Sequence, residues 1–150
     1  MTNPTTGDAS QRRFEDQVVF ITGAARGQGR EEAVRFATEG ARIIGVDLAD
    51  QLGSIPYPMA TADDLATTVA MVEQAGGAMV SRAADVRDLA ALHGAVDEGL
   101  DRFGRLDVVV ANAGVYAPAG FLDLSEQAWD ETVGTNLTGV FKTVRAGAPA

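Results

Sequence analysis

Apolar positions along the chain fall into short blocks whose spacing switches between two periods. A continuous, largely β-branched run over Gln17–Thr22 ends at a glycine and reads as a buried strand. Ala33, Val34 and Ala37 then recur at helical spacing, so Gly27–Glu39 reads as a helix stopped by Gly40 at its C′ position. Arg42–Val46 predicts a second strand, closed by Asp47. Leu65, Val69 and Val72 mark the core face of a second helix, N-capped by Asp63 or Asp64 and ended by Gly76-Gly77. Ala78–Ala83 is a third strand. Leu89, Leu92, Val96, Leu100 and Phe103 form one stripe of a third helix, capped by Asp88 and stopped by Gly104. Leu106–Ala111 is a fourth strand, continuously apolar as expected when both faces are covered. Ser125 caps a last helix, whose stripe of Trp129, Val133, Val140 and Val144 includes the polar Asn136. Strands alternating with helices predict an α/β fold with a parallel sheet and right-handed crossovers.

Two stretches interrupt this rhythm. Residues 1 to about 14 are rich in Thr, Asn, Pro, Gly and Ser and read as a disordered tail, leaving 15–150 as the domain. Leu48–Thr61 contains Pro56, Tyr57 and Pro58 and has no period. Connections in α/β units usually take about two to six residues, so a loop of this length is expected to have a function.

Composition narrows the partners. A chain of 150 residues fits one domain. A net charge of -9 disfavours nucleic acid and anionic membrane surfaces. The absence of cysteine excludes disulfides, thiolate catalysis and zinc–thiolate sites. The single His93 has no neighbouring ligand set, so no metal site is expected and His93 reads as a surface helix residue. No apolar run is long enough to span a membrane, and Met1–Ser10 lacks the apolar core of a secretory signal. A cytoplasmic location is the expectation.

The chemistry concentrates where strands end. The first strand runs into Thr22-Gly23-Ala24-Ala25-Arg26-Gly27-Gln28-Gly29 and then a helix. Strand, glycine turn and helix in that order place bare backbone N–H groups at a helix N-terminus, where the dipole favours a phosphate. Gly23 suits the turn out of the strand, Gly27 lets backbone approach a pyrophosphate, and Gly29 lets helix and sheet pack closely. Asp47 ends the second strand at about the distance where the dinucleotide fingerprint expects an acid on the ribose hydroxyls. A carboxylate there repels the 2′-phosphate of NADP and favours NAD, although Arg26 in the glycine turn could meet that phosphate. Asp85-Val86, taken alone, is equally a polar strand end before a capped helix. A buried Asn136 amide would need partners, since leaving it unpaired costs about 1–3 kcal/mol.

The Thr-Gly-x-x-x-Gly-x-Gly spacing, Asp85-Val86, Asn112-Ala113-Gly114 and Thr-Asn-Leu-Thr-Gly-Val-Phe at 135–141 together resemble the short-chain dehydrogenase/reductase family over residues 15 to 150. Ala111 departs from that family's Asn-Asn-Ala-Gly. Gly27-Gln28-Gly29-Arg30, the 57–65 stretch and Val108–Gly114 look like the mycofactocin-associated, carveol dehydrogenase-like subgroup. The resemblance implies a Rossmann-type doubly wound sheet, here about four strands of the family's seven. It implies NAD as cofactor, with Gly23, Arg26, Gly27, Gln28, Gly29, Asp47, Leu48, Asp85, Val86, Asn112, Ala113 and Gly114 against it. Asp85 would meet the adenine amine and Val86 the ring. Asn136 would be catalytic, distorting its helix and holding a water in the proton relay. The implied substrate is a small alcohol or ketone, and the implied assembly a homo-oligomer, a tetramer in full length.

The family's acid/base pair, a Tyr followed four residues later by Lys, has no counterpart around Tyr57, Tyr116 or Lys142. The expectation is therefore an N-terminal, cofactor-binding portion of an oxidoreductase that is inactive by itself. The alternative is a dinucleotide-binding module without catalysis.

Overall fold

The computed structural model describes residues 12–150. The expected tail falls largely outside the described residues. Four parallel strands, β1 (Val18–Thr22), β2 (Arg42–Asp47), β3 (Met79–Ala83) and β4 (Val108–Val110), form one sheet in the order β3-β2-β1-β4. Val18 sits opposite Arg42 and Ile43 opposite Met79, while Phe20 pairs across to Val109 on the other side. Between them run α1 (Gly27–Thr38), α2 (Ala62–Gln74) and α3 (Leu89–Phe103). After β4 come α4 (Glu126–Val133), a single wide π-helical turn (Gly134–Thr138) and α5 (Gly139–Gly147).

The two-residue alternation of β1 divides the core. Val19 and Ile21 point to one face, where they pack with Ile43, Ala33, Ala37, Leu65 and Val72 under α1 and α2. Val18 and Phe20 point to the other, with Ile44, Val46, Leu92, Ala95 and Val96 under α3 and Ala146 of α5. Both faces of the sheet are covered at β1 and through the middle of β2, which is why these strands read as apolar runs, whereas the second half of β3 is exposed. This is the expected doubly wound α/β arrangement. Every helix described is too short or too polar to cross a membrane.

Three expectations shift. First, α2 begins at Ala62, because Thr61 rather than Asp63 or Asp64 is its cap. The Thr61 hydroxyl accepts from the Asp64 N–H and the Asp64 carboxylate accepts from the Thr61 N–H, a reciprocal box stronger than either acid capping alone. Second, Phe14 lies not in a tail but edge-on to Phe36, at 4.7 Å between ring centroids, and its N–H donates to Glu39 O.

Third, the apolar stripe of the last helix faces outward, while the helix itself widens at Gly134–Thr138 as the resemblance implies. Trp129, Val140, Phe141 and Val144 are exposed, whereas Ala128, Thr135, Gly139, Thr143, Ala146 and Gly147 are buried. The cause is distance. A Cβ at Gly139 would stand 2.6 Å from Val86 Cγ2, and one at Gly147 2.6 Å from Val109 Cγ2. Only small residues fit that approach, so the large side chains lie on the opposite face.

β4 is shorter than its apolar run and its valines are only half-buried, since among the described residues it pairs with β1 alone. An apolar strand edge and an exposed apolar helix face are both templates for association. Residues 1–150 produced alone should therefore aggregate or melt broadly in calorimetry and light scattering. A soluble monomer with one sharp transition would contradict this.

Candidate functional site

The carboxyl ends of all four strands open into one cleft of about 270 Å³, where ligands bind in open α/β sheets. Its floor is the turn between β1 and α1. Gly23 has φ +71° and Gly27 φ +56°, both in the left-handed region. A Cβ at Gly29 would lie 2.1 Å from Gly23 O, so the first turn of α1 rests directly on the backbone leaving β1. A Cβ at Gly27 would meet nothing within 4 Å and would instead project into open space. α2, α3 and α4 start with side-chain caps from Thr61, Asp88 and Ser125. α1 starts at Arg26 with none. Its leading N–H groups thus have no side-chain cap, and the helix dipole favours an anion there.

The turn is held rigid from both sides of one peptide residue. Ala25 N–H donates to Asp47 Oδ2 at 3.0 Å. Ala25 O accepts from Arg30 Nη2 and from the Thr68 hydroxyl at 3.1 Å. Arg30 carries no binding role in the glycine motif, although it stands next to Gly29 and ties the turn to α2 through the Asp64 carbonyl at 2.8 Å.

Asp47 lies at the cleft wall beside Leu48. Its other oxygen accepts from Ala49 N–H at 3.1 Å, and Ala49 adopts φ +54°. With two bonds made, the carboxylate keeps acceptor capacity toward the cleft. Asp85 faces it from the end of β3, and Val86 is buried beside it. Burial pushes the Asp85 pKa up, but the Arg87 hydrogen bonds and charge, with Lys142 nearby, hold it below the usual carboxylate value.

Asn112, Ala113 and Gly114 line the cleft after β4. Asn112 Nδ2 donates to Thr22 O at 2.9 Å, and Ala113 N–H to Thr22 Oγ1 at 3.2 Å, so the ends of β4 and β1 are stitched together. Gln28 contributes backbone to the helix start, while its side chain turns away to Glu32 at 3.0 Å.

Asn136 is not the buried stripe residue expected. It is exposed, because the stripe itself faces outward. Its amide nevertheless has two partners on one residue: Oδ1 accepts from Val115 N–H and Nδ2 donates to Val115 O, both at 2.8 Å. It stands in the wide turn, where the extra residue per turn rotates it toward the β4 loop. The helix is distorted at Asn136, as the resemblance implies, and irregular turns of this kind concentrate at functional sites.

Leu48–Thr61 has a small core of its own. Leu52 and Ile55 bury against Val115, with Leu48, Tyr57 and Met59 around them. Gln51 acts as an internal hub, donating to Leu52 O, Ile55 O and Tyr57 O and accepting from Met59 N–H. The segment is fastened across the cleft at two points. Tyr57 Oη accepts from Tyr116 N–H at 3.0 Å, and Ser54 donates through its hydroxyl and N–H to Glu131 Oε2 on α4. Leu52, Tyr57, Met59 and Ala60 thereby form a wall of the cleft. Their absence of periodicity hides Leu52, and the others are marked only by the length of the loop and by the resemblance of the 57–65 stretch.

Residues 17–150 match the model of the short chain dehydrogenase family. An uncharacterized oxidoreductase of Mycobacterium tuberculosis is 54% identical over 138 residues, covering 92% of this chain and 49% of that protein. The (-)-trans-carveol dehydrogenase of Rhodococcus erythropolis is 45% identical over 139 residues, with 91% and 50% covered. Carveol dehydrogenase from Mycobacterium avium, solved in complex with NAD, superposes with a TM-score of 0.88 at 45% identity, over 91% of this chain and 50% of that one. The chain spans about half the length of these relatives. With its sheet order, its uncapped glycine turn and this match over nearly all its length, the chain belongs to the short-chain dehydrogenase family.

Proposed function

We propose that this chain is the nucleotide-binding part of an NAD-dependent oxidoreductase that moves a hydride between a small alcohol or ketone and nicotinamide. The observation carrying this reading is the uncapped start of α1 facing the Asp47 carboxylate across one cleft. The fit is good on its own terms. Open space at the Gly27 Cβ position leaves room for a pyrophosphate, and Asp47 keeps acceptor capacity for ribose hydroxyls. The NAD-bound relatives, from Mycobacterium avium and Mycobacterium paratuberculosis, support the choice of cofactor.

Gly23, Arg26, Gly27, Gln28 and Gly29 would hold the diphosphate, Asp47 and Leu48 the adenosine ribose, Asp85 and Val86 the adenine. Asn112, Ala113 and Gly114 would line the nicotinamide side. NAD supplies the hydride acceptor when bound. Asn136 fixes both polar groups of Val115, and so the backbone that continues from Gly114. In this reading its exposed amide also orders a water for proton transfer. The outward Trp129, Val140, Phe141 and Val144 suit a homo-oligomer, a tetramer in the whole protein.

Cofactor choice is tested by fluorescence titration of the whole protein with NADH and NADPH. NADH should bind more tightly, and Asp47→Ala should narrow the difference. Equal or tighter NADPH binding would overturn the assignment.

Leu48–Thr61 would close over the adenosine half and slow cofactor release, leaving an external carrier to reoxidise it, as the mycofactocin-associated resemblance implies. Ser54 on Glu131 is then the latch. Glu131→Gln and Ser54→Ala should each accelerate NAD release, read by exchange with labelled nucleotide. The sign with pH follows. Hydrogen bonds from Ser54, then Gln127, hold the Glu131 pKa below its ordinary value. The latch is therefore fully present above the ordinary glutamate range and is lost as pH falls through the depressed value. Release should quicken in acid for the native protein and lose that dependence in Glu131→Gln. Release within minutes at neutral pH, unchanged by either substitution, would refute the lid.

A further inference from the structure

Arg87 belongs to no motif, yet it is bound to three elements. Its guanidinium forks onto Asp85, with Nε at 3.0 Å from Oδ1 and 2.9 Å from Oδ2, and Nη2 at 2.6 Å from Oδ2. Its own N–H donates to Asp85 Oδ1 at 2.8 Å. Its carbonyl accepts from Lys142 Nζ on α5. Its stem crosses the wide turn at Gly134, where a Cβ would come within 3.1 Å of Arg87 Cδ. Asp85 lines the cleft, whereas Arg87 approaches the carboxylate from behind.

The hydrogen count is informative. Arg87 presents three hydrogens to Asp85: the backbone N–H, the Nε–H shared by both oxygens, and one on Nη2. An ionised carboxylate offers about four lone-pair positions. With the Nε–H divided between the two oxygens, about one hydrogen bond's worth of acceptor capacity remains on a carboxylate that lines the cleft. A bidentate fork also fixes the carboxylate plane, which a single charge would not.

We infer that Arg87 is the positioning residue that makes Asp85 a one-place acceptor, selective for a purine carrying an exocyclic amine. This rests on the placement of adenine at Asp85 proposed above. An amine donates into the remaining lone pair. A purine with a carbonyl at that position sets acceptor against acceptor and is rejected. Without the fork the carboxylate turns freely, and solvent satisfies it equally with either ring. Lys142 and Gly134 keep Arg87 in place, so the wide turn in the last helix contributes to base selection as well as to the placement of Asn136.

The test compares equilibrium binding of NADH and reduced nicotinamide hypoxanthine dinucleotide, in which that amine is a carbonyl, to the whole protein. The native protein should prefer NADH by about tenfold, the worth of one charge-assisted hydrogen bond. Arg87→Ala should bring the ratio to within about twofold of unity by weakening NADH alone. Arg87→Lys keeps a charge and a long stem but not the fork, and should lose most of the preference. Where the alanine variant fails to fold, the lysine variant decides. Asp85→Ala separates this proposal from the reading beneath it. If the native protein prefers NADH and Asp85→Ala abolishes that while both Arg87 variants retain it, Arg87 is not the positioning residue. Equal weakening of both nucleotides in the Arg87 variants would overturn that role too. No preference in the native protein would overturn the adenine placement, and this inference with it.

Discussion

The two-sided hold on Ala25 is the constraint from which the site follows. A glycine turn is soft, and anion binding at a helix start depends on its N–H groups keeping one direction. Here the N–H of Ala25 is fixed by Asp47 and its carbonyl by Arg30 and Thr68. Asp47 ends β2 and opens the Leu48–Thr61 segment. Arg30 also binds the carbonyl of Asp64, whose carboxylate completes the Thr61 cap closing that segment. Both ends of the Leu48–Thr61 segment are thus tied, directly or through Arg30, to one peptide residue of the glycine turn. Segment and turn form one hydrogen-bonded unit.

Close approach does the rest. Gly29 sets α1 on β1, and Gly139 and Gly147 bring α5 within van der Waals reach of Val86 and Val109. Side-chain volume is absent where backbones must meet, and for α5 it is displaced outward. Phe141 and Val144 on the solvent side are therefore the counterpart of glycines on the sheet side, rather than misplaced core.

Much of this is legible in the chain. Order, type and approximate bounds of the elements follow from period and punctuation, because β1 and β2 are doubly covered and the first three helices each end at a glycine stop. The strand-end residues can be found because a parallel sheet gathers its carboxyl ends together. The Asn136 stripe misleads, since apolar spacing shows amphipathicity but not which side meets the protein, and the wide turn rotates the face midway. Thr61 is outranked as a cap by two acids, one of which serves to answer it. The orienting roles of Arg30 and Arg87 are invisible, although Arg30 stands in the subgroup stretch, because a guanidinium that orients a neighbour leaves no period and no spacing.

Those two arginines play the same part. Arg30, in the first turn of α1, immobilises the Ala25 carbonyl beneath the glycine turn, and Arg87, just before α3, immobilises the Asp85 carboxylate in the cleft wall. A carboxylate in a half-buried cleft wall has two failings, rotational freedom and a tendency to take up a proton. A fork from Arg87 removes both, as the depressed Asp85 pKa reflects despite its burial. Lys142 of α5 binds the Arg87 carbonyl and the Arg87 stem lies against Gly134, so the residue is held by the helix that also carries Asn136. The segment that widens around Asn136 therefore touches both the Val115 backbone and Arg87, and regularising the wide turn would shift both.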